Sequence, residues 1–127
     1  MKIVILLIFA YAFVFGNSST YFEKGWSLVG VSSSLENMDD FNNSNVELVW
    51  GFDATNQLWQ GYSPDETLVQ KISDANISTL NSLHSYQAFW ILSRESWSLE
   101  LKSETPAQVD NSTISLKKGW NLVSIPQ

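Results

Sequence analysis

The sequence has no cysteine, one histidine, three prolines and six glycines among 127 residues. Without cysteine there is no disulfide, no thiolate nucleophile and no cysteine-ligated zinc. A domain of this size must then be held together by its apolar core. The single histidine, His84, rules out a His pair for a metal and leaves one candidate base for a Ser-His-Asp arrangement. No Gly-x-Ser-x-Gly elbow, phosphate-cradling glycine loop or Asp-x-Asp-x-Asp-Gly calcium loop occurs. No stretch is rich enough in Pro or Gly to be a linker, so one domain is expected. Cations are scarce too. Seven Lys and Arg face thirteen Asp and Glu, a net charge of −6, which disfavours nucleic acid and anionic membranes as partners.

What is present begins with an apolar N-terminus. Met1-Lys2 is a minimal positive start, and residues 3–15 are unbroken apolar. A membrane-spanning helix needs about 20 such residues, so this run is short for one. Val14 and Gly16 form a small-residue cleavage site, and the polar Asn17 to Thr20 follows at once. The expectation is a signal peptide over 1–16 and a single β-rich domain over 17–127. No Cys follows the apolar run, which excludes a lipidated N-terminus. An exported protein is expected (periplasmic, cell-surface or secreted), without membrane association once the signal is cleaved.

One stretch occurs twice. Lys24-Gly25-Trp26-Ser27-Leu28-Val29-Gly30-Val31 returns as Lys118-Gly119-Trp120-Asn121-Leu122-Val123-Ser124-Ile125. Each copy reads as a glycine turn entering a strand of Trp, aliphatic and β-branched residues. In the first, Trp26, Leu28 and Gly30 share one face and Ser27, Val29 and Val31 the other. Two arrangements fit the recurrence: a closed unit whose last strand lies beside its first, or the beginning of a second repeat. A lone strand exposing Trp120, Leu122 and Ile125 would invite aggregation, which favours closure, with Trp26 and Trp120 in one shared interior.

Between the copies, Leu35, Met38 and Phe41 suggest a short helix. Val46 to Asp53 alternates as a strand, residues 53–56 make a hairpin loop, and 57–62 return. Ser63-Pro64-Asp65-Glu66 starts a helix carrying Leu68, Val69 and Ile72. Ile77, Leu80 and Leu83 fit either a second short helix or an irregular loop anchored by apolar residues. Ala88 to Ser93 is nearly all apolar, as in a central strand. Trp97 to Lys102 alternates, and 112–116 is a further strand. The expected fold is mainly β, with α+β as the alternative. It comprises an antiparallel or mixed sheet, or a small sandwich, of about seven strands with two or three short helices, the first and last motif strands close together.

These residues resemble bacterial exported and surface modules of unknown function that carry repeated Gly-Trp-Asn-Leu-Val-Ser-Ile/Leu-Pro strands. Gly119 to Pro126 matches that element fully and Gly25 to Val31 in part. Trp50-Gly51-Phe52-Asp53, then Trp59 with Tyr62-Ser63-Pro64-Asp65, then Phe89-Trp90-Ile91, are similar to the elements that follow. His84-Ser85-Tyr86-Gln87-Ala88 stands where a Gly-rich turn is usual. The resemblance implies an exported β module and no particular activity.

Candidate chemistry is sparse. Asp39-Asp40 and Asp65-Glu66 could be acid/base pairs, but adjacent carboxylates suit helix starts and solvated faces. A lone His84 in a polar turn reads as a surface residue. No enzymatic activity, cofactor or metal is expected. The aromatics are the open question: Trp50, Trp59, Tyr62, Trp90 and Trp97 are either core or a platform for sugar rings. Strand alternation places Trp50 and Trp90 in the core; Trp59, Tyr62 and Trp97 are the candidate ligand-binding residues. The expected function is a non-enzymatic structural or interaction module whose partner is a cell-surface protein or a glycan. A carbohydrate-binding module is the alternative.

Overall fold

The computed structural model describes residues 19–31, 34–100, 104–105 and 116–124. The strand expected at 112–116 therefore lies outside the described residues, apart from Leu116. The protein is mainly β. Its strands are β1 (Ser19–Phe22), β2 (Gly25–Gly30), β3 (Ser34–Leu35), β4 (Val46–Asp53), β5 (Leu58–Tyr62), β6 (Ser78–Thr79), β7 (Ala88–Ser93), β8 (Trp97–Glu100) and β9 (Glu104–Thr105). The helices are α1 (Glu66–Asp74) and a 3-10 turn at Asp39–Phe41.

Five strands form the main sheet in the order β2-β7-β4-β5-β6, antiparallel except for the short parallel β5–β6 pair. The apolar β7 is central, between β2 and β4. β1 pairs with β8, and β3 with β9, as separate two-stranded ladders. β1 and β2 are thus separate, and β2 begins at the glycine turn as the first motif copy implies. The chain turns at Gly25, whose φ of 103° is a left-handed value that favours glycine.

Register decides the two faces of the main sheet. Val29 and Gly51 oppose Phe89, and Val49 opposes Ile91 and Tyr62. These residues share the inner face. Phe22, Trp97 and Leu99 of the β1–β8 pair join Val29, Val49, Phe89 and Ile91 in one buried cluster. Leu35, Met38 and Phe41 are all buried in it, as their spacing implies, though only 39–41 is helical. Phe41 meets Phe89 edge to face at 5.5 Å. Ile77, Leu80 and Leu83 form no helix. Leu80 and Leu83 anchor an extended loop in the core, their N–H groups bonded to the Gly61 and Leu35 carbonyls.

The last motif closes on the same domain. The Ser124 N–H donates to the Tyr86 carbonyl (2.7 Å) and the Ala88 N–H to the Leu122 carbonyl (3.3 Å). Leu122 is buried. Gly30 and Ser124 are equivalent positions of the two motifs, and they abut: a Cβ on Gly30 would collide with the Ser124 side chain. The two motif copies are therefore close, although the described part of the second, up to Ser124, makes only isolated bridges instead of the expected strand. Their indoles, however, do not share an interior. Trp26 is 52% exposed beside Trp90, and Trp120 is 49% exposed over the β4–β5 loop. Register gives the reason for Trp26, which opposes Leu92 on the face of the sheet away from the core, while the Trp120 backbone is held at the surface by Gln57. Gly119 repeats the positive φ of Gly25, at 101°.

α1 is capped by Asp65, within the expected start segment. The Asp65 carboxylate accepts from Thr67 N–H at 2.9 Å and from Arg94 Nη2 at 3.0 Å. The Thr67 bond, with Arg94 beside it, lowers the Asp65 pKa below the usual 3.8. A depressed carboxylate pKa adds stability that is present above the unfolded value and is lost as pH falls through the folded one. The urea midpoint should therefore drop more steeply below about pH 4 in the wild type than in Asp65→Asn, which keeps a cap but cannot titrate. A second variant checks motif closure. Gly30→Ala should cost about 1–3 kcal/mol in urea unfolding, as overpacking does, and Ser124→Gly in the same chain should restore most of it.

Candidate functional site

The outer face of the main sheet carries Trp26 and Leu28 from β2, Trp90 and Leu92 from β7, Leu48, Trp50 and Phe52 from β4, and Trp59 from β5. Register shows this directly: Leu28 opposes Trp90, Trp90 opposes Trp50, Trp26 opposes Leu92, and Phe52 opposes Trp59. All four indoles of the main sheet thus lie on its outer face, together with Phe52 and three leucines, while Phe89 and Tyr62 lie on the inner one.

Among the described residues, only part of this outer face is covered. Gly61 opposes Trp50, and a Cβ there would lie 2.8 Å from Trp50 Cζ3 and 3.2 Å from Ile72 Cδ1. The bare glycine lets the Trp50 indole and the buried Ile72 of α1 meet over β5. Beyond α1 the face opens into a cleft of about 650 Å³ lined by Trp26, Trp50, Trp59, Ile77 and Trp90. Its rings are not coplanar. Trp26 stands at 86° to Trp90 with centroids 6.4 Å apart, and Trp59 packs at 60° against Phe52, outside the cleft, with centroids 5.1 Å apart. Edge-to-face packing of this kind is the preferred arrangement of aromatic pairs. No charged side chain is among those lining the cleft.

Of the residues singled out in the sequence, Trp59 belongs to this cleft and is 47% exposed. Tyr62 sits on the opposite face, packed against the core, and burial there pushes its phenol pKa up, with Asp39 adding to the shift. Trp97 is buried in the core. Its indole lies 5.6 Å from Phe22, and its Nε1 donates to Ser93 Oγ at 3.0 Å. The three do not come together. Trp50 and Trp90, expected in the core, instead line the cleft half-buried. The signal that could have found them is the alternation itself. Phe89 and Ile91 flank Trp90, and Val49 precedes Trp50, so an apolar residue was available for the inner face at each step.

A second, polar pocket of about 340 Å³ lies near the β4–β5 loop, lined in part by Asp53, Gln60, His84, Gln87 and Lys117. Its polar groups largely serve the loops around it. The Asp53 carboxylate accepts from the Asn56 side chain and from the N–H groups of Asn56 and Thr55, and these bonds lower its pKa. Gln87 Oε1 accepts from His84 N–H. His84 is exposed. Gln57, with φ 57°, clasps the tail: its amide donates to the Trp120 carbonyl and accepts from the Trp120 N–H. Asp39-Asp40 lies in the 3-10 turn and Asp65-Glu66 at the start of α1, as solvated or capping acids do. Among the described residues no three His, Asp or Glu side chains converge as metal ligands would.

Fold and site together define a small mainly β module with an indole-lined cleft on the uncovered face of its sheet. Comparison with protein-family models, curated proteins and solved structures finds no match.

The two classes of tryptophan are separable in solution. Acrylamide quenching of the intrinsic fluorescence should fall in Trp26→Phe and Trp59→Phe and stay nearly unchanged in Trp97→Phe. The last variant should instead lose about 1–3 kcal/mol of stability, because it empties part of the core and leaves Ser93 Oγ without its donor.

Proposed function

We propose that the protein is a non-enzymatic, exported interaction module that holds a small organic guest in the cleft between Trp26, Trp50, Trp59 and Trp90. The cleft carries this reading. Its volume falls within the roughly 300–1,000 Å³ of small-molecule sites, and its lining is aromatic as such sites usually are. Export rests on the apolar residues 3–15 and on the resemblance to exported modules.

The size of the patch argues against a second copy as occupant. A Trp side chain buries about 150–250 Å², and Trp26 and Trp59 are each about half exposed. With the half-buried Trp50 and Trp90, the face offers a few hundred Å². A stable dimer buries about 800 Å² per partner. The carbohydrate alternative is weakened on two counts. Walls at 86° make no flat platform for a sugar ring, and apart from the indole N–H groups the lining offers little to bond sugar hydroxyls.

Titration with the neutral probe N-phenyl-1-naphthylamine should give saturable binding in the wild type. In the Trp26→Ser/Trp59→Ser variant it should weaken at least about tenfold, roughly the burial energy of one lost ring. The urea midpoint should change little, since both indoles are half exposed. Equal binding by the variant would remove the cleft as the site. A saturable fluorescence shift with a glycan, abolished by Trp59→Ala, would favour the carbohydrate reading.

A further inference from the structure

We propose that the guest of the Trp26–Trp50–Trp59–Trp90 cleft is a small organic molecule bearing a quaternary ammonium group; the inference rests on the reading of that cleft as a binding site. Four indoles and one isoleucine make the lining. An indole presents a negative ring face and is the strongest aromatic partner for a cation. Trp26 and Trp90 meet at 86°, so the rings form walls facing different directions, as a cage around a rounded cation requires and a stacking surface does not.

The lining also selects the kind of cation. A primary ammonium or guanidinium needs several hydrogen-bond acceptors to replace its water. The cleft has none on its lining side chains, because indole Nε1 is a donor only. A trimethylammonium group donates no hydrogen bonds, so it leaves none unmade on entering an apolar site, and the indole faces offset the desolvation of its diffuse charge. The charge of the whole protein is complementary: the chain carries −6, which raises the local concentration of cations. No Lys, Arg or His lines the cleft to oppose one. Lys24, two residues before Trp26 in sequence, has its ammonium 3.8 Å from the Glu95 carboxylate, which partly balances it.

Calorimetric titration of the full chain with choline and with its uncharged isostere 3,3-dimethyl-1-butanol isolates the charge, since the two differ only in N⁺ for C. Choline should bind at least about tenfold tighter, and the difference should collapse in Trp26→Leu/Trp59→Leu, which keeps an apolar cleft without those two ring faces. Equal affinity for the pair would overturn the inference while leaving the cleft a binding site. So would a charge preference that survives in the variant. Binding of N-phenyl-1-naphthylamine with no binding of choline would likewise reject the cation alone. Failure of all three probes would remove the binding-site reading as well. Binding to phosphatidylcholine vesicles without binding to free choline would assign the cleft to a membrane surface and overturn the inference.

Discussion

The segment from Tyr86 to Ser93 is the constraint on which the structure depends. Its strand, β7, pairs along its length with the first motif strand and with β4. Just before it, the same backbone pairs with the last motif through the Tyr86 and Ala88 bonds and the Gln87–Val123 bridge. Two stretches far apart in sequence are therefore held by one short piece of chain. Their meeting point has room for a single side chain, which Ser124 supplies and Gly30 withholds. In a protein without disulfides, long-range backbone pairing of this kind and the core beneath it provide the closure that covalent links would otherwise give.

The same strand sorts the large side chains. Phe89 and Ile91 enter a core that the β1–β8 pair, the 3-10 turn and the Leu80–Leu83 loop seal. Trp90 faces the other way, where α1 covers only the end of the sheet near Gly61. A one-sided core leaves the second face to solvent unless its residues are polar or partnered. Here they are apolar and only partly partnered. Trp26 packs edge to face with Trp90 and Trp59 with Phe52, which leaves an uncharged cleft between them. An exposed apolar patch of this extent on a small protein is the usual mark of a binding surface, and its aromatic character sets what it can hold.

Much of this was legible beforehand. β4 occupies the residues its alternation implies, the hairpin return and the helix after Pro64 lie where their turn and cap signals stand, and β7 is central because it is apolar on both faces. Other features were not. Ile77, Leu80 and Leu83 recur at helical spacing, yet the chain there is extended, because Leu80 and Leu83 take backbone bonds from β5 and from Leu35 instead of from their own neighbours. The candidate ligand set of Trp59, Tyr62 and Trp97 mixed three environments. Tyr62 is three residues from Trp59 on one strand, so the pleat sends it to the opposite face. Trp97 belongs to a different ladder altogether.

Sequence alone determined that the protein is β-rich, that aromatics carry its core and surface, and that its ends bear two copies of one turn-and-strand motif. It did so because strand alternation, glycine turns and helix caps are local properties of a few neighbouring residues. Which face of each strand lies inside was decided only by the tertiary structure. Apolar residues stand on both sides of β2, β4 and β7, so local hydrophobicity is degenerate, and only cross-strand register and the position of the second layer break the tie. That choice exposed Trp26 and gathered four indoles into one cleft, while Trp97 was buried by a separate ladder.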